Sequence, residues 1–153
     1  MGASKFAQRT TESLTFKERI EYCKDNQNSN CAGTALFIAG VKPFQAYTDH
    51  NEVVTRISTM KRVEYPIIGC IVAWEQPRGV DGAFETGKFF VHLGVVTSQK
   101  PLLVTHRFNN EGRLYIDQPI EVMNQILSID KQLTQVAFYT PRNKLQERLR
   151  KSN

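Results

Sequence analysis

The chain has 153 residues, 41% of them hydrophobic and 23% charged, with a net charge of +5. That is enough chain for one domain with its own core, without metal or disulfide staples. No apolar run approaches the roughly 18 residues of a membrane span, and three cysteines without a C-x-x-C pair make neither a disulfide framework nor a zinc site.

Residues 1–13 read as a flexible polar lead-in that lacks the apolar stretch of a secretory signal. As written, the sequence therefore predicts a cytoplasmic chain, unless a signal-independent route exports it. Residues 14–153 read as a single domain. Phe16, Ile20 and Cys23 fall at helical spacing in 14–24. The polar run DNQNSN at 25–30 then leads into CAGTALFIA. Ser29 or Asn30 would cap a buried helix that begins at Cys31 and stops at Gly40. Val53, Ile57 and Met60 share a face, so a further helix is expected from Asp49 to about Arg62.

The period then changes. Residues 67–74, 88–97 and 101–108 are rich in β-branched and aromatic residues and bounded by turns, which predicts three strands. A Gly/Pro-rich loop separates the first two. Ser98-Gln99 makes the second and third a hairpin. A short strand over 113–117, a helix over 119–128 opened by Pro119, a strand over 133–139 and a final helix over 142–151 complete the chain. Helices first and then a run of antiparallel strands is an α+β pattern, with the sheet packed on the Cys31 helix.

Charge is uneven: residues 141–153 hold five cations against Glu147 alone. A solvated terminal helix accounts for this. With no basic stripe interleaved with aromatics elsewhere, no nucleic-acid partner is expected. No Gly-rich phosphate loop or dinucleotide fingerprint is present, so no cofactor is expected either. Asp49-His50 is at most half of a metal site.

The chemistry concentrates on Cys31. A helix N-terminus favours the thiolate, which is the nucleophilic form. Cys31 would stand there beside a polar loop that leaves it accessible. Cys23 and Cys70 sit at packing positions. His92 interrupts one apolar strand and His106 the next. Phe90, His92, Gly94 and Val96 would share one strand face, as would Leu102, Val104, His106 and Phe108. Both imidazoles could then lie on one side, His92 against the thiol and His106 behind it as orienter. Asn109 or Asn110 is the alternative orienter, and satisfied core histidines are the plainer reading.

Asn30-Cys-Ala-Gly33 before an apolar helix resembles the Asp-Cys-Ser-Gly motif of the NlpC-type, papain-like cell-wall peptidases. Gly69-Cys-Ile-Val-Ala-Trp74 resembles that family's Gly-Asp-Leu strand, and His92-Leu-Gly-Val-Val96 its His-x-Gly strand. His106 falls at its third polar position. The resemblance covers roughly residues 29–117. It implies a papain-like catalytic domain in which Cys31 attacks an amide carbonyl, His92 shuttles the proton and His106 orients His92. The intermediate is a Cys31 thioester, and the Cys31 backbone N–H helps hold the oxyanion. The substrate implied is a peptide or a peptidoglycan stem peptide, with Asn30, Trp74 and Glu75 lining the cleft. Acyl or peptidyl transfer through the same thioester is one alternative, and a non-catalytic binding module on the same fold is another.

Overall fold

A computed structural model describes residues 13–77, 88–108, 112–127 and 135–142. The expected lead-in, most of the Gly/Pro-rich loop, Asn109, Asn110 and the basic terminal helix beyond Arg142 lie outside the described residues.

Helix α1 (Phe16–Asp25) opens on a capping box: Thr15 accepts from the Glu18 backbone N–H, and the Glu18 carboxylate accepts from Thr15 N. Helix α2 (Cys31–Ile38) is capped by Asn30, and every one of its residues is buried. Helix α3 (His50–Ser58) is capped by Asp49 and buries Val53 and Ile57. Six strands follow: β1 (Lys61–Val63), β2 (Ile71–Pro77), β3 (Lys88–Ser98), β4 (Leu103–Arg107), β5 (Leu114–Pro119) and β6 (Gln135–Thr140). Helix α4 (Ile120–Leu127) lies between the last two. The strands form one antiparallel sheet in the order β1-β6-β2-β3-β4-β5. The architecture is α+β, as the order of elements predicted.

Both faces of the sheet are buried, and each carries its own core. On the first face α1, α2 and α3 pack Leu14, Cys23, Cys31, Leu36, Phe37 and Val53 onto Ile71, Ala73, Leu93, Val95 and Tyr139. On the second face α4 packs Ile120 and Met123 against Cys70, Val72, Trp74, Val96 and Val104. Successive strand residues point to opposite faces, so β2 and β3 split their apolar residues between the two cores.

Several boundaries differ from the expected ones. Pro119 ends β5 and does not open the helix, which starts at Ile120, and β2 runs on to Pro77. Two differences are larger, at four residues each. The third helix ends at Ser58 instead of running to Arg62, and Lys61–Val63 pairs with Phe138–Thr140. Met60 keeps the helical spacing, but it lies in the bend past the Thr59 cap, and the three-residue strand that follows is too short to show a period of its own. The first long strand starts at Ile71, not Ile67. Ile67 and Ile68 are apolar turn residues, and Gly69 at φ 91° redirects the chain.

Candidate functional site

Asn30 fixes the start of α2. Its Oδ1 accepts from Gly33 N at 2.9 Å and Thr48 N at 3.1 Å, and its Nδ2 donates to Thr48 O at 2.8 Å. One carboxamide thus caps the helix and ties it to the loop ahead of α3. Cys31 is the first helical residue, as the sequence implied. It is not accessible, however: only 6% of it is exposed, in the core of the first face.

The two histidines come together as expected. His92 on β3 and His106 on β4 sit with Nε2 and Nδ1 3.1 Å apart, their rings edge to face. His106 Nε2 makes a short contact with Gln118 Oε1 on β5. A carboxamide oxygen only accepts, so His106 Nε2 carries a proton and its Nδ1 is the acceptor. His92 Nε2–H therefore donates to it. Trp74, Phe108 and Tyr115 surround the pair, with Tyr115 stacked on His106 at 5.3 Å. Exposure is 3% for His92 and 1% for His106. Burial pushes His92 down to about 3, with the neighbouring His106 adding to the effect. Burial also lowers His106, against the hydrogen bond to Gln118. Both imidazoles are neutral at pH 7.

Cys31 and this pair lie on opposite faces of the sheet. A Cβ added at Gly94 would meet His106 Cβ at 3.2 Å and a Val72 methyl at 3.3 Å, which fixes Gly94 on the second face. His92, two residues away, shares that face and touches Trp74 of the second core. Leu93 and Val95 point the other way, beneath α2. The sheet backbone separates the Cys31 thiol from the His92 ring, so the expected thiol, base and orienter are not assembled. The expected face of β3 is corrected in part. A bulge sets Trp74 opposite His92 but Glu75 opposite Phe90, so Phe90 packs against the first core while His92, Gly94 and Val96 stay on the second.

The expected cleft residues are all buried. Asn30 is consumed by the cap. Trp74 donates through Nε1 to Asn124 Oδ1 on α4 at 2.8 Å and is buried. Glu75, next along β2, points to the other face. There it accepts from Tyr139 Oη at 2.7 Å and lies 3.9 Å from Arg62 Nη1. That carboxylate and burial push the Tyr139 hydroxyl well above the usual phenol range, burial being the larger cause. Asp49 is the cap of α3, and His50 Nε2 accepts from Phe90 N at 3.3 Å. Among the described residues, no three His, Cys, Asp or Glu side chains converge to hold a metal. Two open grooves, of about 440 and 250 Å3, are lined by β1 and β6 residues and by residues around Val41 and Met60. Neither touches Cys31, His92 or His106.

Arg107, which belongs to none of the expected site motifs, is fully buried on the first face. Its Nε donates to Thr34 Oγ1 at 2.9 Å, and its Nη2 to Cys23 O, Asn26 O and Gln45 Oε1 at 2.6, 3.1 and 3.2 Å. Its Nη1 donates to Gly112 O. The guanidinium thus gathers the end of α1, the middle of α2, the α2–α3 loop and the β4–β5 turn. An arginine inside the apolar run LLVTHRF was the available signal, masked by the histidine beside it.

The loop between α2 and α3 is held from several sides. Beyond Asn30 and Arg107, Gln45 Nε2 donates to Asn26 O at 2.8 Å. Lys42 Nζ reaches Thr48 Oγ1 and Glu52, both at 3.0 Å, and its carbonyl faces Arg19. On this braced loop Phe44 is 64% and Tyr47 70% exposed. No helix of the described residues is long and apolar enough to cross a membrane. Comparisons with protein-family models, curated proteins and solved structures give no match.

Proposed function

We propose that this chain is a non-catalytic peptide-binding module whose architecture is related to the papain-like domains. The observation that carries this reading is the separation of Cys31 from His92 by the sheet. Thiol activation needs a base within hydrogen-bond reach, and a thiol buried in one core cannot be served by an imidazole buried in the other. The relation to papain-like domains is supported by the helix that opens on Asn30-Cys31-Ala32-Gly33 and packs on an antiparallel sheet. The adjacent histidines on its third and fourth strands support it too.

The braced α2–α3 loop supports binding. Loops positioned by a rigid scaffold commonly carry recognition. Exposed aromatic side chains supply contact area at low entropic cost, and Phe44 and Tyr47 stand on a loop held through Asn30, Arg107, Gln45 and Lys42. A peptide laid across this loop would bury both rings.

Peptides, including peptidoglycan stem peptides, are to be titrated against the full chain by calorimetry while products are followed by mass spectrometry. The expected result is binding without turnover. Affinity should survive Cys31→Ala and His92→Gln, and fall about tenfold or more in a Phe44→Ala/Tyr47→Ala double variant, from roughly 1.4 kcal/mol of lost contact. Amide cleavage or acyl transfer that vanishes with Cys31→Ala overturns the reading in favour of the thioester chemistry. Selective alkylation of Cys31 by iodoacetamide, ahead of Cys23 and Cys70, would count against it too.

A further inference from the structure

We propose that His92, His106 and Gln118 form an acid-released latch that holds the edge strand β5 to β4 and, through it, α4 against the second face of the sheet. The latch spans three strands: His92 Nε2–H donates to His106 Nδ1, and His106 Nε2–H donates to Gln118 Oε1. β5 is an edge strand, paired with β4 alone. Its register against β4 is interrupted between Val104 and His106, and Asp117 in that interval takes φ 53°, a left-handed conformation uncommon for a residue other than glycine. The His106–Gln118 bond therefore anchors β5 beside its weakest register. Helix α4 follows β5 directly and covers Trp74 through Asn124.

Protonation acts on this arrangement in two steps. A first proton on His92 Nδ1 leaves the two hydrogen bonds in place but puts a charge among neutral neighbours. The groups that face the pair are Trp74 from β2, Phe108 following β4, and Tyr115 and Gln118 from β5. On the Tyr115 ring that stacks on His106 lies another cation, Arg113, 4.9 Å from the ring centre. Asp117 on β5 and Glu121 on α4 are exposed, and Arg107 on β4 faces the other core. Among the described residues no carboxylate hydrogen-bonds or ion-pairs with either imidazole. A second proton must go to His106 Nδ1, which removes the acceptor and sets two cations 3.1 Å apart. In water both imidazoles accept protons near pH 6.5, so acid favours whichever state wets them. Lifting the edge strand with its helix disturbs the least structure that does so. The latch does not rest on the binding reading, because it involves neither Cys31 nor the α2–α3 loop.

Trp74 is the chain's sole tryptophan, and its cover by α4 makes it the reporter. Acrylamide quenching of Trp74 and far-ultraviolet circular dichroism are to be followed on the full chain from pH 7 down to about pH 3. The expected result is a severalfold rise in quenching, at a higher pH than the loss of helical signal. Gln118→Ala should move the quenching midpoint to higher pH, and the His92→Gln/His106→Gln double variant, which can take neither proton, should abolish the acid step. Quenching that rises only together with global unfolding overturns the proposal, as does an acid step that persists in the double variant. If the double variant does not fold, an unchanged midpoint in Gln118→Ala overturns it alone.

Discussion

The two faces of this sheet bury polar groups in opposite ways. Under the three N-terminal helices, the first face encloses a permanent cation, Arg107, and satisfies it with carbonyl and side-chain oxygens from four separate segments. Under α4, the second face encloses two titratable rings that stay neutral and satisfy each other and one carboxamide. A guanidinium cannot shed its charge, so the first face is stable only while every donor has its acceptor. An imidazole can change charge, so the second face is conditional on pH. Replacing both imidazoles would leave the first face intact, whereas removing the guanidinium would undo contacts between elements far apart in the chain.

The largest effect should come from Arg107→Leu. It removes five donors and takes the guanidinium from the carbonyls of Cys23 and Gly112, while Asn26 O keeps the Gln45 amide. Denaturant unfolding should show a loss of about 3–5 kcal/mol, with α1 the first element to lose protection from hydrogen exchange. A loss below about 1 kcal/mol would mean that water replaces the guanidinium and that the first face is not organised around it. Next is Gly33→Ala on the same face. The new methyl would overlap the Ala46 carbonyl oxygen and the Ser29 hydroxyl. Neither the first turn of α2 nor the braced loop can yield without losing the Asn30 bonds. About 3 kcal/mol is expected, together with weaker peptide binding, since the displaced loop carries Phe44 and Tyr47.

How much of this was legible in the sequence follows from the same comparison. The Cys31 helix, its Asn30 cap, the β3–β4 hairpin and the shared face of His92 and His106 were all readable, because caps, turns and period-two alternation are local signals. What alternation cannot supply is sign. FFVHLGVV is apolar at both parities, so nothing local says whether Leu93 and Val95 or His92, Gly94 and Val96 lie beneath α2. A strand covered on both sides carries no hydrophilic face to break the tie. The bulge opposite Trp74 and Glu75 then moved Phe90 to the other face without a glycine or proline to announce it. Gln118, Tyr115 and Asn124 join the site only through long-range pairing, and each is unremarkable within its own segment. Nor did Arg107 reveal its depth, since Thr34, Gln45 and the α1 carbonyls that satisfy it arrive from 62 to 84 positions away.

A smaller effect separates the faces by pH. His92 titrates near 6.5 in the unfolded chain and is pushed down to about 3 in the folded one. The unfolded chain therefore binds more protons in that window. The histidine face contributes fully above about pH 6.5 and loses its contribution progressively as pH falls toward 3. Stability measured by urea unfolding should decline over this range in the native chain, and His92→Gln should flatten that decline by removing the proton uptake. An equally steep decline in the variant would locate the acid sensitivity elsewhere.

The smallest effect expected is at the residue that draws most attention in the sequence. If Cys31 packs in the first core and does no chemistry, Cys31→Ala should cost only about 1 kcal/mol, from the loss of one buried sulfur. The Cys31 helix would then matter through its backbone. The same N-terminus that could have stabilised a thiolate is already engaged: Asn30 takes the Gly33 N–H and braces Thr48. Asn30→Ala should accordingly cost more than Cys31→Ala, since it removes a cap and the tie to the α2–α3 loop at once. Thermal unfolding of the two single variants tests that order. A larger loss at Cys31, or any loss of function confined to it, would return the thiol to the centre of the molecule.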